Sequence, residues 1–352
     1  MMESIGSRVF TPTLQKTKDG APFSQIGTGR SKAGPPALYP IFKRSGRDPR
    51  RFTAGFMDRS GEQVLDYRYS YAYPFHNGLA TVKVGQEWGV IDLKGNMVIA
   101  PVSDSPLDIS DDLAIFGANG KRGVMSPNGN VLVGPKYDTL GMFREGLAWM
   151  SVCGQFGFLS SFGEELVPPI YEDARSFSDG LAPVKMKGKW GFVDKEFEVK
   201  IPFRFDFALP FSEGLARVKV KDKWGYIVRN SDYAIRSQYD GAREFSEGLA
   251  EVKVGELWGY INKTGSVVIK PAFRYSGSFV DQIAPVRPLD DLLYGLIDPN
   301  GTFVVPPSYK GVGTFRMGLC FVEFGEEIAY IDRFGNIVWR APFVEVGRVW
   351  DL

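Results

Sequence analysis

The chain has 352 residues, 44% of them apolar and 14% aromatic, with 41 glycines and 23 prolines. That is too apolar for a disordered chain and rich in turn formers, which favours many short strands over helices. Net charge is +1 but unevenly placed: residues 1–51 carry ten Lys/Arg against three Asp/Glu, and the remainder is mildly acidic. With no run of about 18 apolar residues a transmembrane helix is not expected, and the N-terminus lacks the apolar stretch of a secretory signal.

Residues 1–51 have neither helical nor strand periodicity. They read as a Gly/Pro/Ser-rich extended arm ending in a basic cluster, Lys43, Arg44, Arg47, Arg50 and Arg51. Such a segment either solubilises the chain or orders on an acidic partner: a polymer-associated protein, nucleic acid or an anionic surface. Residues 52–352 are expected to form a separate array.

That array repeats every 34 residues. Trp88-Gly89, Trp190-Gly191, Trp224-Gly225 and Trp258-Gly259 stand at multiples of this period, and Arg122-Gly123 and Phe156-Gly157 fill the two gaps. Gly-Leu-Ala precedes the dipeptide, as at Gly180 to Ala182 and Gly248 to Ala250. After it come an Asp-x-x-Gly turn (Asp92 to Gly95) and Val-Ile-x-Pro (Val268 to Pro271). A Tyr-Asp stretch ending in Phe closes the unit (Tyr239 to Phe245).

The phrases predict strand A on Gly-Leu-Ala-x-Val-Lys, strand B on Trp-Gly-Tyr-Ile, strand C on Val-Ile-x-Pro and a short strand D before the Phe. Glycine takes the positive-φ position of the B–C turn, and the proline ends strand C or lies on an edge. Eight copies of the strand A phrase and nine of the strand B phrase are countable.

These phrases, in this order and spacing, resemble the WG-repeat family, called KWG repeats in some bacterial proteins, over about residues 52–343. The resemblance implies a β-repeat interaction module and no particular reaction. We expect an all-β closed β-propeller of eight blades, with an open β-solenoid or superhelix as the alternative. An N-terminal strand D joining C-terminal strands A, B and C would close the ring, although the hairpin at about 52–66 is then surplus.

The single histidine, His76, lies in a predicted turn, so no nucleophile–His–carboxylate set is readable. There is no Cys/His metal spacing and no phosphate loop. No catalytic, cofactor or metal residue is assigned. Cys153 and Cys320 make no disulfide framework and suit a reducing, cytoplasmic compartment, with organelle import left open.

Two charged rows recur with the period: carboxylates before strand A (Asp111, Glu145, Asp179, Glu213, Glu247) and lysines within it (Lys83, Lys185, Lys219, Lys253). The first is turn chemistry or an acidic face for a basic partner. The second is a row of solvated strand lysines or, with strand A nearest the channel, a basic ring for an anion or acidic peptide.

The expected function is a non-enzymatic protein-binding scaffold in a larger assembly, anchored partly by the arm. A carbohydrate-binding module with several exposed tryptophans and an enzyme with a channel pocket are the alternatives.

Overall fold

The computed structural model describes residues 37–44 and 52–342. Every regular element in them is a β-strand. An opening sheet of three antiparallel strands comes first: β1 (Tyr39–Arg44), β2 (Phe52–Met57) and β3 (Gln63–Tyr69). Eight four-stranded units follow, here numbered 1 to 8. Unit 1 is β4 (Tyr71–Ala72), β5 (Leu79–Val84), β6 (Glu87–Asp92) and β7 (Met97–Ser103), in that spatial order. These are strands D, A, B and C of the repeat. Units 6 and 7 are fused, because the long strand Val267–Ser276 serves as strand C of one and strand D of the next.

Two expectations need correction. The array does not start at residue 52: β1, taken for irregular arm, pairs with β2 from Tyr39↔Met57 to Arg44↔Phe52. With β1 the surplus hairpin becomes a three-stranded sheet that stands beside the eight expected four-stranded units. Nor does an N-terminal strand D complete the last sheet. Unit 8 has its own, Gly311–Val312, and Tyr71–Ala72 belongs to unit 1.

The two ends of the array nevertheless meet. The opening sheet and unit 8 share one core, in which Tyr39, Ile41 and Phe56 lie with Leu319, Ile328 and Tyr330. Where the B–C turn has a glycine, that residue rests on strand C of the preceding unit: Gly265 on Ile235, Gly301 on Ile269, Gly335 on Val305. Gly61 of the opening sheet rests in the same manner on Val338 of unit 8.

One hydrogen bond at this seam is a substitution for a missing strand. In six of the eight units a carbonyl of strand A accepts from the backbone just after strand D, as in Arg243 N to Glu251 O and Arg175 N to Pro183 O, both 2.9 Å. The corresponding carbonyl in the opening sheet is that of Pro40, and no strand D stands beside it among the described residues. The Tyr330 hydroxyl of unit 8 donates to it instead, at 3.0 Å. Leaving that buried carbonyl unsatisfied would cost about 1–3 kcal/mol.

The glycine of the Trp-Gly signature has a steric cause. Strand C bulges opposite it: Trp258 pairs with Phe273 and Tyr260 with Ile269, so extra residues of strand C are accommodated between them. The bulge pushes the Ile269 carbonyl to 2.5 Å from where a Cβ on Gly259 would stand, and the Ile235 carbonyl to 2.6 Å from that of Gly225. Unit 8 has Ala329 in this column, and there the bulge is absent: Ile328↔Ala341, Ala329↔Arg340 and Tyr330↔Trp339 run in continuous register. The proline of strand C lies within the strand, as Pro101 in β7, and is tolerated because strand C is the sheet edge.

Candidate functional site

The turns before strand A hold two successive residues at positive φ, as in Asp179 (54°) and Gly180 (73°), or Glu213 (51°) and Gly214 (84°). Such turns match the twist of the hairpins they close, but glutamate is an unfavourable occupant. Its carboxylate compensates by reaching the next unit. Glu145 accepts from Gly180 N (3.2 Å), Glu213 from Gly248 N (3.1 Å), Glu247 from Gln282 N (2.9 Å) and Asp111 from Gly146 N (3.0 Å).

Lys195 stands 3.0 Å from Glu145, and Lys263 stands 3.0 Å from Glu213. Partial burial opposes ionisation of both glutamates, but these lysines and the amide donors hold their carboxyls below the usual range. The acidic row is thus a chain of brackets between units. Asp179 is exposed at its tip.

The lysine row is dispersed. Lys83, Lys185, Lys219 and Lys253 lie directly opposite Trp88, Trp190, Trp224 and Trp258 across strands A and B. Lys219 pairs with Asp222 at 3.2 Å and Lys253 with Glu256 at 3.3 Å. Glu172 stands 3.9 Å from Lys185, and Lys83 lies over the Trp88 ring at 5.7 Å. Strand A is second in its sheet, behind strand D, so the expected channel-lining position is not where these lysines are.

Trp88 and Trp190 are buried; Trp224 and Trp258 are half-buried beneath Arg217 and Arg243, whose guanidinium groups lie 5.8 and 5.4 Å from the ring centres. None of the four is exposed, so the ladder of open rings required for sugar stacking is not formed by them. Of the basic cluster, Lys43 projects from β1 over the Tyr67 ring at 4.6 Å and Arg44 ends that strand. Arg47, Arg50 and Arg51 lie outside the described residues.

Sequence reasoning missed a cavity of about 550 Å³ at the strand D side of the array. Tyr73 and His76 of unit 1, Asp108 of unit 2, Met142 and Arg144 of unit 3 and Arg316 of unit 8 line it. Units 8 and 1 reach the same space because the opening sheet between them has no strand D among the described residues. Asp108 stands in this recess, where burial raises its carboxyl against the opposing pull of Arg122. Arg122 donates to Ser105 Oγ at 2.7 Å and occupies the column that holds tryptophan elsewhere. That loss of tryptophan was the visible signal.

A second missed group is Glu251, fully buried between units 6 and 7. Burial pushes its carboxyl up to about 7, with Arg243 and the Ser278 hydroxyl (3.1 Å) only partly offsetting it. Its second oxygen has no hydrogen-bond partner. Among the described residues no three His, Cys, Asp or Glu side chains are placed to hold a metal ion, and no helix is long and apolar enough to cross a membrane.

Sheets of four antiparallel strands repeated around shared cores define a β-propeller-like repeat protein. The WG containing repeat matches residues 55–88, 88–121, 123–152, 156–190, 190–224, 224–258, 258–291 and 294–326, and the chain belongs to that family. No curated protein matches it in sequence. Among solved structures it is similar to a crystal structure of a eukaryotic initiation factor, with TM-score 0.60 and 12% identity over 88% of this chain and 97% of that one. It is also similar to the dihydro-heme d1 dehydrogenase NirN, with TM-score 0.48 and 13% identity over 74% and 71%. A third is Kluyveromyces lactis Hsv2, with TM-score 0.42 and 7% identity over 67% and 98%. At these identities the likeness concerns the fold.

Proposed function

We propose that the chain is a non-enzymatic protein-binding scaffold of the cytoplasm, working inside a larger assembly to which its basic N-terminal segment helps anchor it. One observation supports this above others: much of the recurrent charge is used between or within units, whereas Lys43, on the opening strand outside the eight units, is left exposed. Glu145, Glu213 and Glu247 bracket neighbouring units. Lys43 on β1 projects to solvent next to a segment containing Arg47, Arg50 and Arg51. A body whose polar groups satisfy one another is a stable platform, and unneutralised basic side chains attract acidic surfaces.

The test is affinity purification of the full chain and of a chain lacking residues 1–36 that also carries Arg47→Gln, Arg50→Gln and Arg51→Gln, at low salt and at about 0.5 M salt. The truncation stops before β1 and the substitutions lie between β1 and β2, so both strands of the folded array are kept. Co-purifying partners that are lost from this variant and at high salt support the reading. An assembly indifferent to both, or a chain that purifies alone, refutes it.

A further inference from the structure

The side chain that follows the buried Phe of strand D has one role in much of the array. Ser178, Ser212 and Ser246 donate to the carbonyls of Phe211, Phe245 and Phe279 in the next unit, at 2.7, 2.8 and 2.6 Å. Ser110 accepts from Phe143 N at 2.8 Å. Three units abandon this bracket and place a cationic or ionisable side chain in the same column: His76 in unit 1, Arg144 in unit 3 and Arg316 in unit 8. All three line the cavity described above. They are exposed, and among the described residues none forms an ion pair with a carboxylate.

The departures therefore cluster in space although they are spread over 240 residues of sequence. Arg122 adds a further cation, and among the described residues Asp108 is the only carboxylate in the lining. The wall also includes the apolar side chains of Leu107, Ile109 and Met142. A volume of about 550 Å³ lies within the range of roughly 300–1,000 Å³ typical of ligand sites.

We infer that this cavity is the docking site for an acidic peptide segment of a partner protein, whose carboxylates meet Arg144 and Arg316 while its apolar side chains meet Leu107, Ile109 and Met142. Charge excludes the chain's own N-terminal segment as occupant, since residues 1–36 hold five Lys/Arg and two Asp/Glu. A small inorganic anion would leave the apolar wall without use. This deepens the scaffold reading and rests on it, but it can fail separately.

The experiment measures fluorescence anisotropy of a fluorescein-labelled decapeptide alternating Glu and Leu, titrated with the full chain. The wild-type chain is expected to bind it and not the peptide with Lys in place of Glu. Arg144→Gln combined with Arg316→Gln should weaken binding about tenfold or more, the scale of lost charge-assisted hydrogen bonds. Arg340→Gln on the outer strand should leave it unchanged.

Both targeted side chains are exposed, so an unchanged thermal midpoint verifies folding of the double variant. Arg144→Glu should shift preference toward the Lys peptide. Equal binding by wild type and double variant, no binding by wild type, or full displacement by millimolar phosphate would overturn the assignment. The co-purification test judges the scaffold reading independently of these outcomes.

Discussion

Glu251→Gln removes an ionisable proton from the interface of units 6 and 7 while preserving side-chain size and the Ser278 contact. In the folded chain burial moves this carboxyl from its ordinary value of 4.5 to about 7. Between those values the folded state keeps a proton that the unfolded state has released, so stability falls as pH rises through the interval and levels off above it. At 1.36 kcal/mol per tenfold, the loss is about 3 kcal/mol.

The glutamine variant carries no such loss. Urea denaturation of both proteins at about pH 5 and about pH 8 should give a difference in unfolding free energy that moves in the variant's favour by about 2.5 kcal/mol on going alkaline, part of the loss having already occurred at pH 5. Parallel pH profiles for the two proteins would refute the reasoning, because they would mean that Glu251 is ionised in the fold at no special cost.

Tyr330→Phe leaves the Pro40 carbonyl without its donor and should destabilise by about 1–3 kcal/mol, with faster amide exchange confined to β1 and its partner strand as the diagnostic. Gly259→Ala drives a methyl into the Ile269 carbonyl and should cost about 1–3 kcal/mol in thermal or urea unfolding, whereas Ala329→Gly, in a unit without the bulge, should cost about 1 kcal/mol or less. Equal penalties would remove the steric account of the signature glycine. Under native conditions a thiol reagent should label Cys153, which is exposed, and spare Cys320, which is buried and whose thiol burial pushes up; mass spectrometry should find one adduct, and two in urea.

Much of the fold could be read from the chain because the repeat's phrases encode local geometry. Asp58 illustrates this: its carboxylate accepts from the amides of Ser60 (2.8 Å) and Glu62 (3.1 Å), and Gly61 takes φ 89°, as the Asp-x-x-Gly spacing required. The opening strand was illegible because Ala37-Leu38-Tyr39 stands where Gly-Leu-Ala stands elsewhere, and a seven-residue connection replaces the two-residue A–B turn. Its strand character comes from pairing with β2 and burial against unit 8, which are tertiary facts.

The charged rows were visible as rows, but not their use. A bracket such as Glu213 to Gly248 joins residues 35 apart, and only the geometry of adjacent sheets brings them together. The cavity was harder still: His76, Arg144 and Arg316 look unrelated until their shared column is seen beside an opening sheet that has no strand D among the described residues.

The seam also imposes an order on biosynthesis. The opening sheet leaves the ribosome with one flank bare, and the strand that covers it, beginning at Leu319, is made about 250 residues later. At roughly 5–20 residues per second that interval is on the order of 12–50 s, during which Ile41, Phe56 and their neighbours lack their final cover. Nascent chains should therefore depend on chaperone protection until the last unit emerges. In the finished protein no strand is shared across the same join among the described residues, so pulling the chain from its ends should part it there first.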